Sequence, residues 1–364
     1  MAYTNIDDPS AYFQTALYTG TGSAQSITND GNSDLQPDFI WFKRRNSTVV
    51  FGYFNSTTGN NKYLYTGNGD SPAEVTASAG EGLQTFDSDG FSLGTHQGPT
   101  NASGGTYVAW QWKANGGTTS SNTDGSITST VQVNQDAGFS IVTYTGTGVY
   151  NKTVGHGLGV APAVVILKNR TTGETSYDDW WVYHKDTSNP VNRGLRLNED
   201  VAEVSTTVLW SVVPSSTIFG VGGSVDLPRY TNEDSDNYVA YCFAEKQGYS
   251  KFGKYIGNGS TNGPFVYTGF KPAFIMRKRI DGAGNWGILD YKRDPTNLAD
   301  QFLSAEANSA ESNYLDIFSI DILSNGFKFR TNRYESNQLG STYIYMAFAE
   351  NPFVTSTGVP TTAR

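Results

Sequence analysis

TYVAWQW (Thr106–Trp112), NYVAYCF (Asn237–Phe243) and TYIYMAF (residues 342–348) are three copies of one pattern, and they decide the fold. Side chains alternate sides along an extended strand. One face of these segments carries Val108, Trp110 and Trp112; Val239, Tyr241 and Phe243; or Ile344, Met346 and Phe348. That face belongs in a core, because large apolar groups gain about 1.5 to 3 kcal/mol each on burial. The opposite face carries Tyr107, Ala109 and Gln111; Tyr238, Ala240 and Cys242; or Tyr343, Tyr345 and Ala347. Small residues behind a leading tyrosine predict a second packed surface, and so a strand central in its sheet.

Working outward, each copy closes a longer repeat. A Tyr-x-Gly-x-Gly turn opens the unit at Tyr18, Tyr144 and Tyr255, about 90 residues before the closing tyrosine. Between them come a proline, a short apolar run and a lysine, as Pro37 to Lys43, Pro162 to Lys168 and Pro272 to Lys278. Proline cannot donate to a ladder and suits a strand's first position, so it marks where each run begins. DSDGFSL (residues 87–93) and LSNGFKF (residues 323–329) read as Asp/Asn-Gly turns entering strands. The fold class predicted is all-β, three tandem antiparallel β-sandwich modules of jelly-roll or lectin-like type. The modules are residues 1–113, 126–247 and 248–353, with a flexible polar linker at 114–125 and a tail at 354–364. SITSTVQV after the linker reads as an added strand. The best helical candidate is LADQFLSAEANSAES (residues 298–312), with a turn or two expected.

Composition narrows the function. The chain has 364 residues, 25 Lys+Arg against 34 Asp+Glu, a net charge of −9, one cysteine and three histidines. An acidic chain does not suit the counterion displacement that nucleic-acid binding requires. One cysteine excludes an intrachain disulfide and a cysteine-only zinc site, so no metal and no cofactor is expected. The start, MAYTNIDDPSAYF, has neither a basic n-region nor an apolar h-region, and no run approaches the ~20 residues of a membrane span, so neither export nor membrane insertion is expected.

Residues with chemistry to offer are few. Cys242 lies inside an alternating strand, where a buried filler is expected and not a nucleophile. His96, His156 and His184 have no ligand spacing and read as surface or turn residues. The acidic groups Asp87/Asp89, Asp178/Asp179 and Glu233/Asp234/Asp236 read as solvated turns, and DSDG lacks the glutamate a calcium loop needs at position twelve. The sharpest binding candidate is YDDWWVYHK (residues 177–185). Trp180, Trp181 and Tyr183 could stack on a sugar ring and Asp179 could take its hydroxyls. GNWGILDYK (residues 284–292) occupies the same place in the third module, which favours a core role for the tryptophan.

AGFSIVTYTGTG (residues 137–148), VGHGLGVAPAVVILKNR (residues 154–170), YVAYCFAE (residues 238–245), LSNGFKFR (residues 323–330) and YIYMAFAENPF (residues 343–353) resemble a repeated module in virion proteins of marine tailed bacteriophages, cyanophages included. The resemblance implies a virion structural protein, made in the host cytoplasm, most simply a tail fibre or appendage subunit contributing to host attachment. Its partners would be other virion proteins, copies of itself (a trimer is favoured) and a host surface glycan. No catalytic residue comes with the resemblance, and no enzyme is expected. The alternatives are a head-decorating or tail-adaptor protein without receptor binding and, last, a polysaccharide-degrading enzyme.

Overall fold

The computed structural model describes residues 3–361 apart from 68, 70, 71, 96, 97, 172–177, 206–208, 224–228 and 314. Three large antiparallel sheets share one strand order. In the first, the opening strand Phe13–Thr19 pairs with the closing strand Thr106–Trp112, which pairs in turn with a third strand, Phe39–Arg44; Phe51–Asn55, Gly59–Thr66 and Val75–Thr76 follow. The second runs Phe139–Thr145, Asn237–Phe243, Val164–Asn169, Trp181–His184, Arg193–Arg196, Val204–Ser205. The third runs Ser250–Ile256, Thr342–Pro352, Phe270–Arg279, Gly287–Asp290, Gln301–Ser304, Ser312–Asn313. The tyrosine-led closing strand is central in all three, as its two apolar faces require.

A small sheet backs each large one: Gln25–Thr28, Gly90–Leu93 and Leu83–Asp87; Lys152–Gly155 and Ile218–Val221; and Phe265–Tyr267, Gly326–Phe329 and Ile320–Leu323. The molecule is all-β, its sheets layered as sandwiches. The faces bearing Ala109, Ala240 and Ala347 fill the space between each large sheet and its small one. The opposite faces all meet in one core. There Trp112, Phe243 and Phe348, at matching positions of the three closing strands, form a triangle with centroid separations of 6.2, 5.5 and 5.8 Å. Aromatic pairs at such distances add to burial itself. The expected modules therefore share a core in addition to having their own.

Three expectations change in detail. The segment read as a flexible linker is pinned: Gly116 and Gly117 N–H groups donate to the Asp38 carboxylate, Asn115 and Gly117 donate to Gln132 Oε1, and Ser120–Asn122 pairs with the added strand Ser129–Asn134. Buried carboxylate and amide acceptors at 0% exposure demand such donors. The helical candidate at 298–312 is instead crossed by the strand Gln301–Ser304, because pairing with Gly287–Asp290 outweighs local propensity. Pro272 does not begin its strand; it sits at a bulge within Phe270–Arg279, where a missing donor is tolerated.

Candidate functional site

The Tyr-x-Gly-x-Gly turns build one corner three times. Tyr18 stacks on Tyr107, Tyr144 on Tyr238 and Tyr255 on Tyr343, with centroids 5.1, 5.0 and 4.9 Å apart. The opening tyrosine's hydroxyl donates to the carbonyl of Thr100, Thr231 or Ser336. A fully buried asparagine, Asn101, Asn232 or Asn337, clasps the turn: its side-chain oxygen accepts from Thr21, Thr147 or Asn258, and its carbonyl accepts from Gly22, Gly148 or Gly259. The sequence reading missed these asparagines, although each stands six residues before its closing tyrosine. The two glycines serve different needs. A Cβ on Gly20 would stand 2.3 Å from the Ala102 carbonyl oxygen, while Gly22 takes φ +72°, which L side chains rarely adopt.

Beneath the corners the sheets interlock as a ring. Glu74 N–H donates to the Arg170 carbonyl, Glu203 to Ile280 and Glu311 to Arg45, so each sheet's last strand reaches the next sheet and the third reaches the first. Two joints add a salt bridge, Arg170 to Glu74 at 2.8 Å and Arg45 to Glu311 at 2.7 Å. Apolar Ile280 takes the arginine's place at the other. The lysines that end the apolar runs are all buried. Lys43 Nζ donates to Val49 and to Asn308 of the third unit; Lys278 Nζ donates to Arg279, Gly284 and, in the second unit, Asp200; Lys168 Nζ donates to Asn169. Burial pushes Lys43 down to about 7 and Lys278 to about 8, which is why carbonyls must surround them.

One further position repeats. Asn55 Nδ2 donates to the Tyr241 hydroxyl of the second sheet, His184 Nε2 to the Tyr345 carbonyl of the third, and Asp290 accepts from Trp110 Nε1 of the first, at 3.1, 3.3 and 3.1 Å. Three sheets, three kinds of joint and one sense of rotation make a rigid closed body.

The aromatic candidates lie inside it. Trp180 is fully buried in the shared core, and its Nε1 donates to the Tyr65 carbonyl, as Trp286 Nε1 does to Arg196. Trp181 and Tyr183 point the other way, into the second sandwich, against Tyr230 and Trp210. Adjacent tryptophans thus serve different cores, and neither presents a ring face to a sugar. Asp179 is 4% exposed; Asn198 donates to it at 2.8 Å, Arg196 lies 3.1 Å away, and burial raises its carboxyl. Tyr177, the first residue of that stretch, lies outside the described residues.

The other candidates are structural too. Cys242 is buried, and burial pushes its thiol far above the ordinary value. His156 and His184 are buried and not at the surface. Each imidazole accepts at Nδ1 from a backbone N–H two residues on and donates at Nε2 to a carbonyl, so the neutral ring is satisfied and burial lowers its pKa. His96 falls outside the described residues. Asp87 and Asp89 hold a hairpin turn, accepting from Thr85, Ser92 and Leu35. Asp178 and Asp236 are buried, both accepting from Asn169, where solvated turns were expected.

What remains is the surface, and it has two unlike ends. Each opening strand starts where the chain crosses between units and finishes at a corner. At the starting end the two ends of the described chain meet: Thr4 donates to the Gln247 carbonyl, Tyr3 to Gly269, and Asp7 accepts from the Ser356 backbone N–H. The corner end exposes Val149, Tyr150, Ile256, Tyr334 and Leu339, the last at 75%, and the starting end exposes Val160, Val213, Tyr267 and Val359. Single exposed apolar residues are ordinary; those of the corner end stand on the loops 146–151 and 330–341 and at the end of the strand Ser250–Ile256. A family model described as "Domain of unknown function (DUF7483)" matches residues 8–352. No curated protein and no solved structure matches the chain.

Proposed function

From a chain that belongs to this DUF7483 family, we propose a virion structural protein of a tailed bacteriophage: an appendage subunit, anchored at the end where residues 3–12 and 349–361 gather, that contributes to host attachment through its corner loops. One observation carries the reading beyond the sequence resemblance. The three corners stand at one end of the strands, the segments nearest both termini at the other, and a closed ring of joints fixes the distance between them. Such a body can be held from one side while its loops touch a partner on the other. Because one chain closes three sheets about one axis, it supplies by itself the threefold arrangement that fibres commonly build from three chains. The same symmetry suits the architectural alternative, a subunit seated at a threefold position of the head.

Antibody against the chain, applied to purified particles of the encoding phage, is expected to label the tail appendages and to reduce adsorption. Absence of the chain from purified particles, by peptide mass spectrometry, would sink both readings. Label spread over the head with adsorption unchanged would select the architectural one.

A further inference from the structure

The third unit has a cleft at its corner end. Its volume is about 240 Å³, and Glu335 and Asn285 stand in its wall with the hydroxyls of Ser304, Ser309 and Ser312. Phe302 and Phe318, stacked on each other, line it as well. Glu335 is 8% exposed; the Tyr334 hydroxyl stands beside its carboxylate, and its Oε2 atom is buried without a hydrogen-bond partner among the described residues. Buried acceptors are almost always paired, so an unpaired one lining a cleft marks the place of a donor brought from outside.

Charge decides what kind of donor. Arg277, 1% exposed, lies behind the cleft, where the sister sheets have Phe42 and Leu167; its Nη1 donates to the Glu335 carbonyl at 2.5 Å and its guanidinium stands 5.0 Å from the Phe318 ring. That positive charge attracts the Glu335 carboxylate, and the guanidinium's Nε and Nη2 groups are buried without a hydrogen-bond partner among the described residues, so the set lacks acceptors as well as a donor. The neighbouring Glu306 carboxylate is taken up by Asn285 and the Trp286 N–H, with the Lys278 ammonium attracting it. A cationic ligand would add an unbalanced charge to a buried set; a neutral hydroxyl donor would not. The volume falls below the range of about 300 Å³ upward typical of drug-sized ligands and fits a single ring.

We propose that this cleft is a subsite for one neutral sugar residue of a host surface glycan. One sugar hydroxyl donates to Glu335 Oε2, the serine hydroxyls bond to others, and the apolar ring edge lies toward Phe302 and Phe318. That the sugar comes from a host surface rests on the attachment reading above; its chemical class rests on the cleft.

The test titrates the full chain with the methyl glycosides of glucose, galactose, mannose and N-acetylglucosamine, read by saturation-transfer NMR, and in a separate arm with isolated host surface polysaccharide. At least one methyl glycoside is expected to bind, with affinity falling about tenfold in Glu335→Gln. Ser309→Trp, at the exposed rim, is expected to abolish binding while leaving the melting temperature unchanged, which keeps the test open if Glu335→Gln folds poorly. The proposal is overturned if no methyl glycoside binds, if Ser309→Trp binds as the parent does, or if methylguanidinium binds in place of the sugars. Polysaccharide binding without monosaccharide binding overturns the subsite and spares the attachment reading. Sugar binding by a chain absent from particles supports the subsite and sinks that reading.

Discussion

Asn232 holds four groups of its corner at once: the N–H groups of Thr147 and Gly148, the Thr147 hydroxyl and the Val149 carbonyl. Asn232→Ala leaves a part-buried N–H and a part-buried carbonyl without this partner, so a loss of about 1 to 3 kcal/mol is expected in a denaturant titration. Gly20→Ala is expected to destabilise more than Gly22→Ala in the same assay, because a clash with backbone at 2.3 Å cannot relax whereas the positive φ costs about 1 to 2 kcal/mol. At His184, burial pushes the pKa down to about 4, against an ordinary 6.5. The unfolded chain therefore binds a proton between these values that the folded one refuses. Stability is complete above about pH 6.5 and falls through that window toward pH 4, by on the order of 3 kcal/mol from this group. His184→Asn, which installs the residue of the matching position Asn55, should flatten the loss between pH 6.5 and 4 in thermal melts; an unchanged slope would remove His184 as its cause. At this scale the sequence was half legible. Tyrosine and glycine announce the corner by repetition, but the asparagine takes its meaning from a turn some 80 residues away.

Strands were read best where both faces are apolar. Period-two alternation in 106–112, 237–243 and 342–348 puts three closing strands at sheet centres, where they are. What alternation cannot say is what covers each face. One face of each meets its own small sheet, while the other meets two other large sheets, and the same tryptophans and phenylalanines suit either cover. The candidate binding residues failed for the same reason: Trp180, Trp181 and Tyr183 have the composition of a sugar platform and the positions of core. The strand at 301–304 went unread because Leu, Ala and Glu favour helix until a partner strand is present. Phe243→Ala, at the triangle of closing strands, is expected to cost about 3 to 5 kcal/mol of unfolding free energy. Ile256→Ala, 60% exposed at the end of an opening strand, should stay within about 0.5 kcal/mol.

Repetition along the chain gave three units; only space shows that they close on one another. Because the aromatic core is common property, the full chain is expected to unfold in one calorimetric transition with equal calorimetric and van't Hoff enthalpies. A fragment of residues 248–353 would bare Phe274, Met276 and Phe348, and it should bind a hydrophobic dye and lack a dispersed NMR spectrum. Independent folding of that fragment would mean the shared core is dispensable. The opposed ends have a mechanical meaning as well. Tension between a tether near residues 7 and 356 and a grip on the corners would run along the strands, so the ladder bonds would be sheared together instead of peeled one by one. Tension between the two termini themselves would peel, and a body mounted by both would be spared that weaker mode.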